Sequence, residues 1–345
     1  MLQLTRRYLR QIDGIFLALC AACSVLSVVT LVSIGHNQLG SINKASVQFI
    51  ASALGILLAL IVSTVDYRAL AHAWPLHAVL AWGTSNYSWY RVGGMTFQPA
   101  ELAKISFVLT LALHLNHVRG RVNKPANLLA LAVHVLLPVL AIHIQGDDGT
   151  ALVFLGIGLV MVFAGGISGW LVAGGLAAAG GGAALLLKLR PGLADIAYQQ
   201  NKGAMAIGTG GLTGTGLWGE HVFVPNSWND FIFSYLANAM GFVGAVTLLL
   251  LLLGISVRIL LAALQSTDAL GRYLCVGIFA ALFWQCIINL GMNLQVLPVI
   301  GVTLPFFSAG GSSVVMVYLC VGLVLAVSRK NRRKKLAVPI ELEQV

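Results

Sequence analysis

Charge is what this sequence lacks most. Only 9% of its 345 residues are Asp, Glu, Lys or Arg, and just 11 are acids, where soluble proteins carry about a quarter charged residues. With 58% hydrophobic residues and a mean hydropathy of +0.89, a soluble fold is excluded. No polar linker separates the apolar runs, so the whole chain, 1–345, reads as one all-α, polytopic membrane domain. The five cysteines all lie inside apolar runs, which excludes a disulfide framework. Cys20 and Cys23 have redox spacing but no second pair or partner histidine, and read as inert. The eight histidines lack ligand spacing, so a zinc site is not expected. No signal-peptide cleavage pattern stands out, and the first apolar run is expected to be a retained anchor. The formal charge of +10 sits beside apolar spans, where topology explains it without nucleic acid.

Runs able to cross about 30 Å of hydrocarbon lie at 14–34, 46–64, 97–117, 127–144, 150–167, 170–187, 231–254, 275–295 and 312–328. A weaker third span, 68–88, is interrupted by His72, Pro75 and His77. Counting it gives ten. Both termini are then cytoplasmic, and Arg6, Arg7 and Arg10, Arg119 and Arg121, and the Arg329–Lys335 run all lie inside. Without it the last two groups invert, against the positive-inside bias. Residues 1–13 and 329–345 become basic tails, the latter suited to anionic lipid, and 189–230 a long extracytoplasmic loop between spans 7 and 8.

Ionisable groups within spans are costly and mark functional candidates. Asp13, Asp66 and Asp268 fall at cytoplasmic borders and are expected to be solvated. The remaining acids outside the tail gather on the other face. Glu101 and Lys104 are three apart on a helix expected to start near Pro99, so they share a face. Their pairing could be structural, or Lys104 could offer its cation to a phosphate. Asp230 stands where a polar loop becomes an apolar helix; it could cap that helix or act as a base with a raised pKa. Ala206–Gly216 is glycine-rich, but it lacks the Lys-Ser/Thr ending of a P-loop and follows no strand pattern, so it reads as a flexible or tightly turned extracytoplasmic loop.

Four segments together resemble the SEDS family (shape, elongation, division and sporulation) of RodA-, FtsW- and SpoVE-like proteins. They are Trp89 with Phe97-Gln-Pro-Ala-Glu-Leu-Ala-Lys104; Gln145-Gly-Asp-Asp-Gly-Thr-Ala-Leu152; Ala206-Ile-Gly-Thr-Gly-Gly-Leu212 with Asn229-Asp-Phe-Ile-Phe233; and Leu297–Ser313, which contains Leu304-Pro-Phe-Phe-Ser-Ala-Gly-Gly-Ser-Ser313. The resemblance implies a ten-span peptidoglycan glycosyltransferase that polymerises lipid II at the outer face of the cytoplasmic membrane, beside a class B penicillin-binding protein. It implies Asp230 as the catalytic acid/base, with Glu101, Lys104, Asp147, Trp89, Arg91, Ser312 and Ser313 on the substrate. Deprotonating an acceptor hydroxyl while a diphosphate leaves calls for a carboxylate and phosphate-facing cations. A divalent cation, magnesium or manganese, could bridge the diphosphate to the acids; no spacing demands one.

The chain departs from the family pattern at several points. Tyr87 stands where Arg precedes Trp89, leaving Arg91 as the substitute cation; Lys202-Gly203 replaces Gln-Ser; and Asn238-Ala239 replaces an acidic pair. The alternative is therefore a non-catalytic scaffold or a transporter of lipid-linked precursor. Acids gathered on one face weigh against transport, which needs headgroup access from both.

Overall fold

A computed structural model describes residues 8, 11–73, 90–92, 95–171, 173–174 and 193–337. The described chain is helical apart from a small ribbon. Its elements are α1 (Gly14–Ile34, extended by a π turn Gly35–Leu39), α2 (Asn43–Val62), α3 (Tyr67–His72), β1 (Tyr90–Val92), β2 (Met95–Phe97), α4 (Pro99–His117), α5 (Pro125–Ile144), α6 (Asp148–Ala164), α7 (Leu193–Thr209), α8 (Ile232–Leu264), α9 (Ala269–Asn293) and α10 (Gly311–Ala337). The strands pair antiparallel, with Arg91 opposite Thr96.

The helix starts follow local chemistry. Side chains of Asp13, Asp66, Asp147 and Asp268 accept from free backbone N–H groups at the starts of α1, α3, α6 and α9. Pro99 and Pro125 open α4 and α5, where a missing N–H costs nothing. Six described helices are long and apolar enough to cross a membrane, and α6 is a shorter apolar one. Outward-facing leucines such as Leu129 and Leu137, 68% and 67% exposed, suit lipid. The protein is thus a multi-pass membrane protein. Most of 68–88 and of 170–187 lies outside the described residues.

Several boundaries differ from expectation. α8 continues to Leu264, and α10 carries the basic run on as helix through Lys335. The 189–230 connection contains α7, which packs on α8 and α9.

Two close contacts lock α2 against α10. A Cβ on Gly55 would lie 2.6 Å from the Tyr318 ring, and one on Gly322 would lie 2.9 Å from the Ala59 backbone; small residues allow this approach. α9 is central, touching α4, α6 and α8.

The bundle has two polar ends. At one, Asp13 pairs with Arg258, and Asp268 accepts from Tyr67 and from Arg68, each at 2.7 Å, with Lys330 at 3.6 Å. Burial pushes the Asp268 carboxyl up, but the Gly271 N–H, Tyr67 hydroxyl and Arg68 guanidinium together hold it below the ordinary carboxylate range. Asp13 and Asp268 are therefore not the solvated border residues expected: Asp13 is buried, and Asp268 sits in an ion cluster. At the other end lie the starts of α4, α6, α8 and α10 and the end of α9, with Glu101, Lys104, Asp147, Asp230, Ser312 and Ser313.

Candidate functional site

Asp230 belongs to a tight turn in which the Asn226 carbonyl accepts from the N–H groups of Asn229 and Phe231. Three consecutive carbonyls of that turn are held by α9 and by the α9–α10 connection. Ala309 N donates to Trp228 O at 2.8 Å, Ser308 Oγ to Asn229 O at 2.7 Å, and both Asn289 Nδ2 and Asn293 Nδ2 to Asp230 O at 2.9 Å. Asn289 also donates to Val302 O, and Asn293 Oδ1 accepts from Ser234 N and Oγ. The backbone of Asp230 is fixed, while its Oδ1 is buried without a hydrogen-bond partner. Phe231, not Asp230, takes the cap position of α8, and no side chain bonds there. Capping is therefore not what Asp230 does. Burial raises its pKa to about 6.

The glycine-rich segment has a structural task. α8 breaks at Gly241, whose φ of 64° suits glycine, leaving carbonyls and N–H groups without helical partners. The loop supplies them. Thr215 N and Gly216 N donate to Asn238 O and Ala239 O, while Phe242 N and Val243 N donate to Gly211 O and Leu212 O, all at 2.9–3.1 Å. Irregular backbone in a membrane protein persists where protein satisfies it.

Glu101 and Lys104 form a 2.8 Å ion pair, with each side chain 8% exposed. Asp147 uses both oxygens, one accepting from Thr150 N at the start of α6 and the other from Gln98 Nε2 at the start of α4. The neighbouring Asp148 pairs with His143 at 2.6 Å. A Cβ on Gly149 would lie 2.2 Å from Ile300 O, so this corner abuts the loop that Asn289 holds through Val302. Ser313 is buried, and Ser312 Oγ is buried without a partner. Arg91 is described only as strand backbone, and Trp89 lies outside the described residues. Hydrogen bonds thus join Gln98 to Asp147, join Ser308 and Ala309 to the Asp230 turn, and join Val302 to it through Asn289.

A divalent cation fits this donor set poorly. Among the described residues no group of three His, Cys, Asp or Glu side chains could hold a metal, and the Asp147 oxygens are engaged.

The model of the FtsW/RodA/SpoVE family, described as cell cycle protein, matches residues 10–333. This chain belongs to that family. Its relatives include a probable peptidoglycan glycosyltransferase FtsW of Geobacter sp., 33% identical over 267 residues and 71% of each chain. Stage V sporulation protein E of Bacillus subtilis is 32% identical over 71% of this chain and 72% of its own. Among solved structures, a peptidoglycan synthase complex coordinating polymerization and crosslinking matches with a TM-score of 0.77 at 29% identity, covering 93% of this chain and 98% of that one. The rod shape determining protein RodA of Thermus thermophilus matches with a TM-score of 0.72 at 31% identity, covering 93% and 97%.

Within the FtsW/RodA/SpoVE frame, the departure at Asn238 has a structural account. Its Nδ2 donates to Ala206 O and Thr209 Oγ1, both at 2.9 Å, and its Oδ1 accepts from Val222 N and faces His221 Nδ1. A carboxylate could not make the two donations. Asn289 and Asn293 escaped the sequence reading because their partner Asp230 is distant in the chain; the only local signal was polarity at the edge of an apolar run.

Proposed function

We propose that this chain is a peptidoglycan glycosyltransferase that polymerises lipid II into glycan strands. The observation that carries the reading is the buried, unpartnered Oδ1 of Asp230 on a backbone held at three successive carbonyls. Such a group is placed to work as a base, and its pKa of about 6 leaves it ionised yet basic near neutrality. The acceptor sugar hydroxyl gives its proton to the Asp230 carboxylate as its oxygen bonds to the donor's anomeric carbon. The bond from that carbon to the diphosphate breaks, and undecaprenyl diphosphate leaves with the electron pair. The buried Glu101–Lys104 pair adds a fixed dipole at the start of α4, with the Lys104 cation as its positive end.

In this reading the Asp230 end faces outward and the Arg258–Lys330 end is cytoplasmic, as the positive-inside bias favours, with both termini inside. A class B penicillin-binding protein is the expected partner, and cross-links the strands. The test is polymerisation of labelled lipid II by the purified chain, alone and with such a partner. Product from wild type, absent from Asp230→Asn, supports the enzyme. Inactivity in both conditions, with the partner shown to bind, supports a scaffold instead.

A further inference from the structure

The donor's diphosphate needs a cation, and Lys104 is already neutralised by Glu101 at 2.8 Å. Lys44, in the first turn of α2, is held differently. Its Nζ lies 4.7 Å from the centre of the Trp228 ring, and among the described residues it has no carboxylate partner. An indole face attracts an ammonium without consuming its N–H donors in hydrogen bonds. Lys44 is therefore localised and still able to bind an anion. Trp228 in turn belongs to the same tight turn as Asp230, and Ala309 N holds its carbonyl. One rigid turn thus presents the candidate base and the seat of an uncommitted cation two residues apart.

We propose that Lys44, seated on Trp228, binds the diphosphate of the lipid-linked donor and stabilises it as it leaves. The proposal rests on the glycosyltransferase reading but is tested without catalysis. The chemistry it requires is a cation meeting charge that grows on the leaving oxygens, a contact that strengthens in the transition state. A lysine, as a compact point charge, meets the requirement without a bidentate fork.

The experiment measures binding of undecaprenyl diphosphate and of undecaprenol to the purified full chain in nanodiscs, for wild type, Lys44→Met, Lys44→Arg and Trp228→Leu. Wild type is expected to prefer the diphosphate. Lys44→Met should weaken diphosphate binding at least about tenfold, and undecaprenol binding should not move; Lys44→Arg should keep most of the preference, and Trp228→Leu should lose part of it. If Lys44→Met does not fold, Lys44→Gln is read in its place. Equal diphosphate binding by wild type and the neutral variant, or no preference in wild type, overturns the proposal. Lys44-dependent binding in a chain that makes no polymer would leave this inference standing and remove only the polymerase reading. Polymerisation with Lys44-independent binding would do the reverse.

Discussion

Asn293 donates its side-chain amide to the main-chain carbonyl of Asp230 at 2.9 Å, one turn of α9 beyond Asn289, which donates to the same oxygen at the same distance. Both lone pairs of that carbonyl are thereby taken, and the position of the carboxylate is set by α9 although Asp230 precedes α8. Asn289 also holds Val302 O, and Asn293 also holds Ser234 N and Oγ.

Asn289→Ala should therefore strip a donor from two buried carbonyls at once. Asp230 O keeps Asn293 and Val302 O loses its donor, so the cost in stability is about 1–3 kcal/mol, read as a lower melting temperature. Polymerisation should fall in kcat more than KM rises, because the substrate contacts remain while the base is misplaced. A normal kcat in a destabilised variant would limit Asn289 to folding.

The Glu101–Lys104 pair separates stability from binding. Lys104→Met leaves a carboxylate alone in a site where each side chain is 8% exposed, and such orphaned charges cost about 3–5 kcal/mol. Glu101→Gln with Lys104→Met removes both charges and should restore the melting temperature. If Lys104 also serves the leaving group, the double variant stays folded and slow; full recovery of polymerisation would discard that role.

At Asn238 the prediction runs against the family pattern. Asn238→Asp restores an acid where the family has an acidic pair, yet it removes the donations to Ala206 O and Thr209 Oγ1 in a residue only 1% exposed. Loss of about 1–3 kcal/mol is expected from the Ala206 carbonyl left facing a carboxylate, since the Thr209 hydroxyl can turn and donate. A melting curve at neutral pH decides it, and an unchanged midpoint would mean that the α7 contacts rearrange at no cost.

What the sequence made legible was whatever depends on neighbours along the chain. The apolar run from Gly14 to Ile34 with Asp13 before it, and Pro99 opening the helix that pairs Glu101 with Lys104, could be read directly. What it hid depends on partners far away. Asp13 looked solvated because Arg258, 245 residues on, is invisible locally. Asn289 and Asn293 looked like polar residues at the end of a span because Asp230 lies 59 and 63 residues before them. The glycine-rich loop gave away its turns but not its purpose, since the break in α8 that it mends arises at Gly241.

Asp230→Asn tests the site most sharply, because pH separates its two effects. Burial raises the Asp230 pKa to about 6, so the native state disfavours the charged form. The sign follows: the penalty is absent where the group is protonated in both folded and unfolded chains, grows as pH rises past the ordinary carboxylate value, and is complete above about pH 6. At about 1.4 kcal/mol per tenfold change in proton affinity, it reaches at most about 3 kcal/mol. Asn carries no charge at any pH. Asp230→Asn should therefore melt higher than wild type at pH 8 and close to it at pH 4. Polymerisation should fall at least about a hundredfold, the lower end for losing a positioned base, and wild-type activity should rise with pH through about 6 on its acid side as the carboxylate forms. A more stable and inactive variant is the signature of a carboxylate kept for chemistry at the expense of folding. Near-normal polymerisation by folded Asp230→Asn would remove Asp230 as the base, and Asp147, whose oxygens are committed to Thr150 and Gln98, would be the next acid to replace.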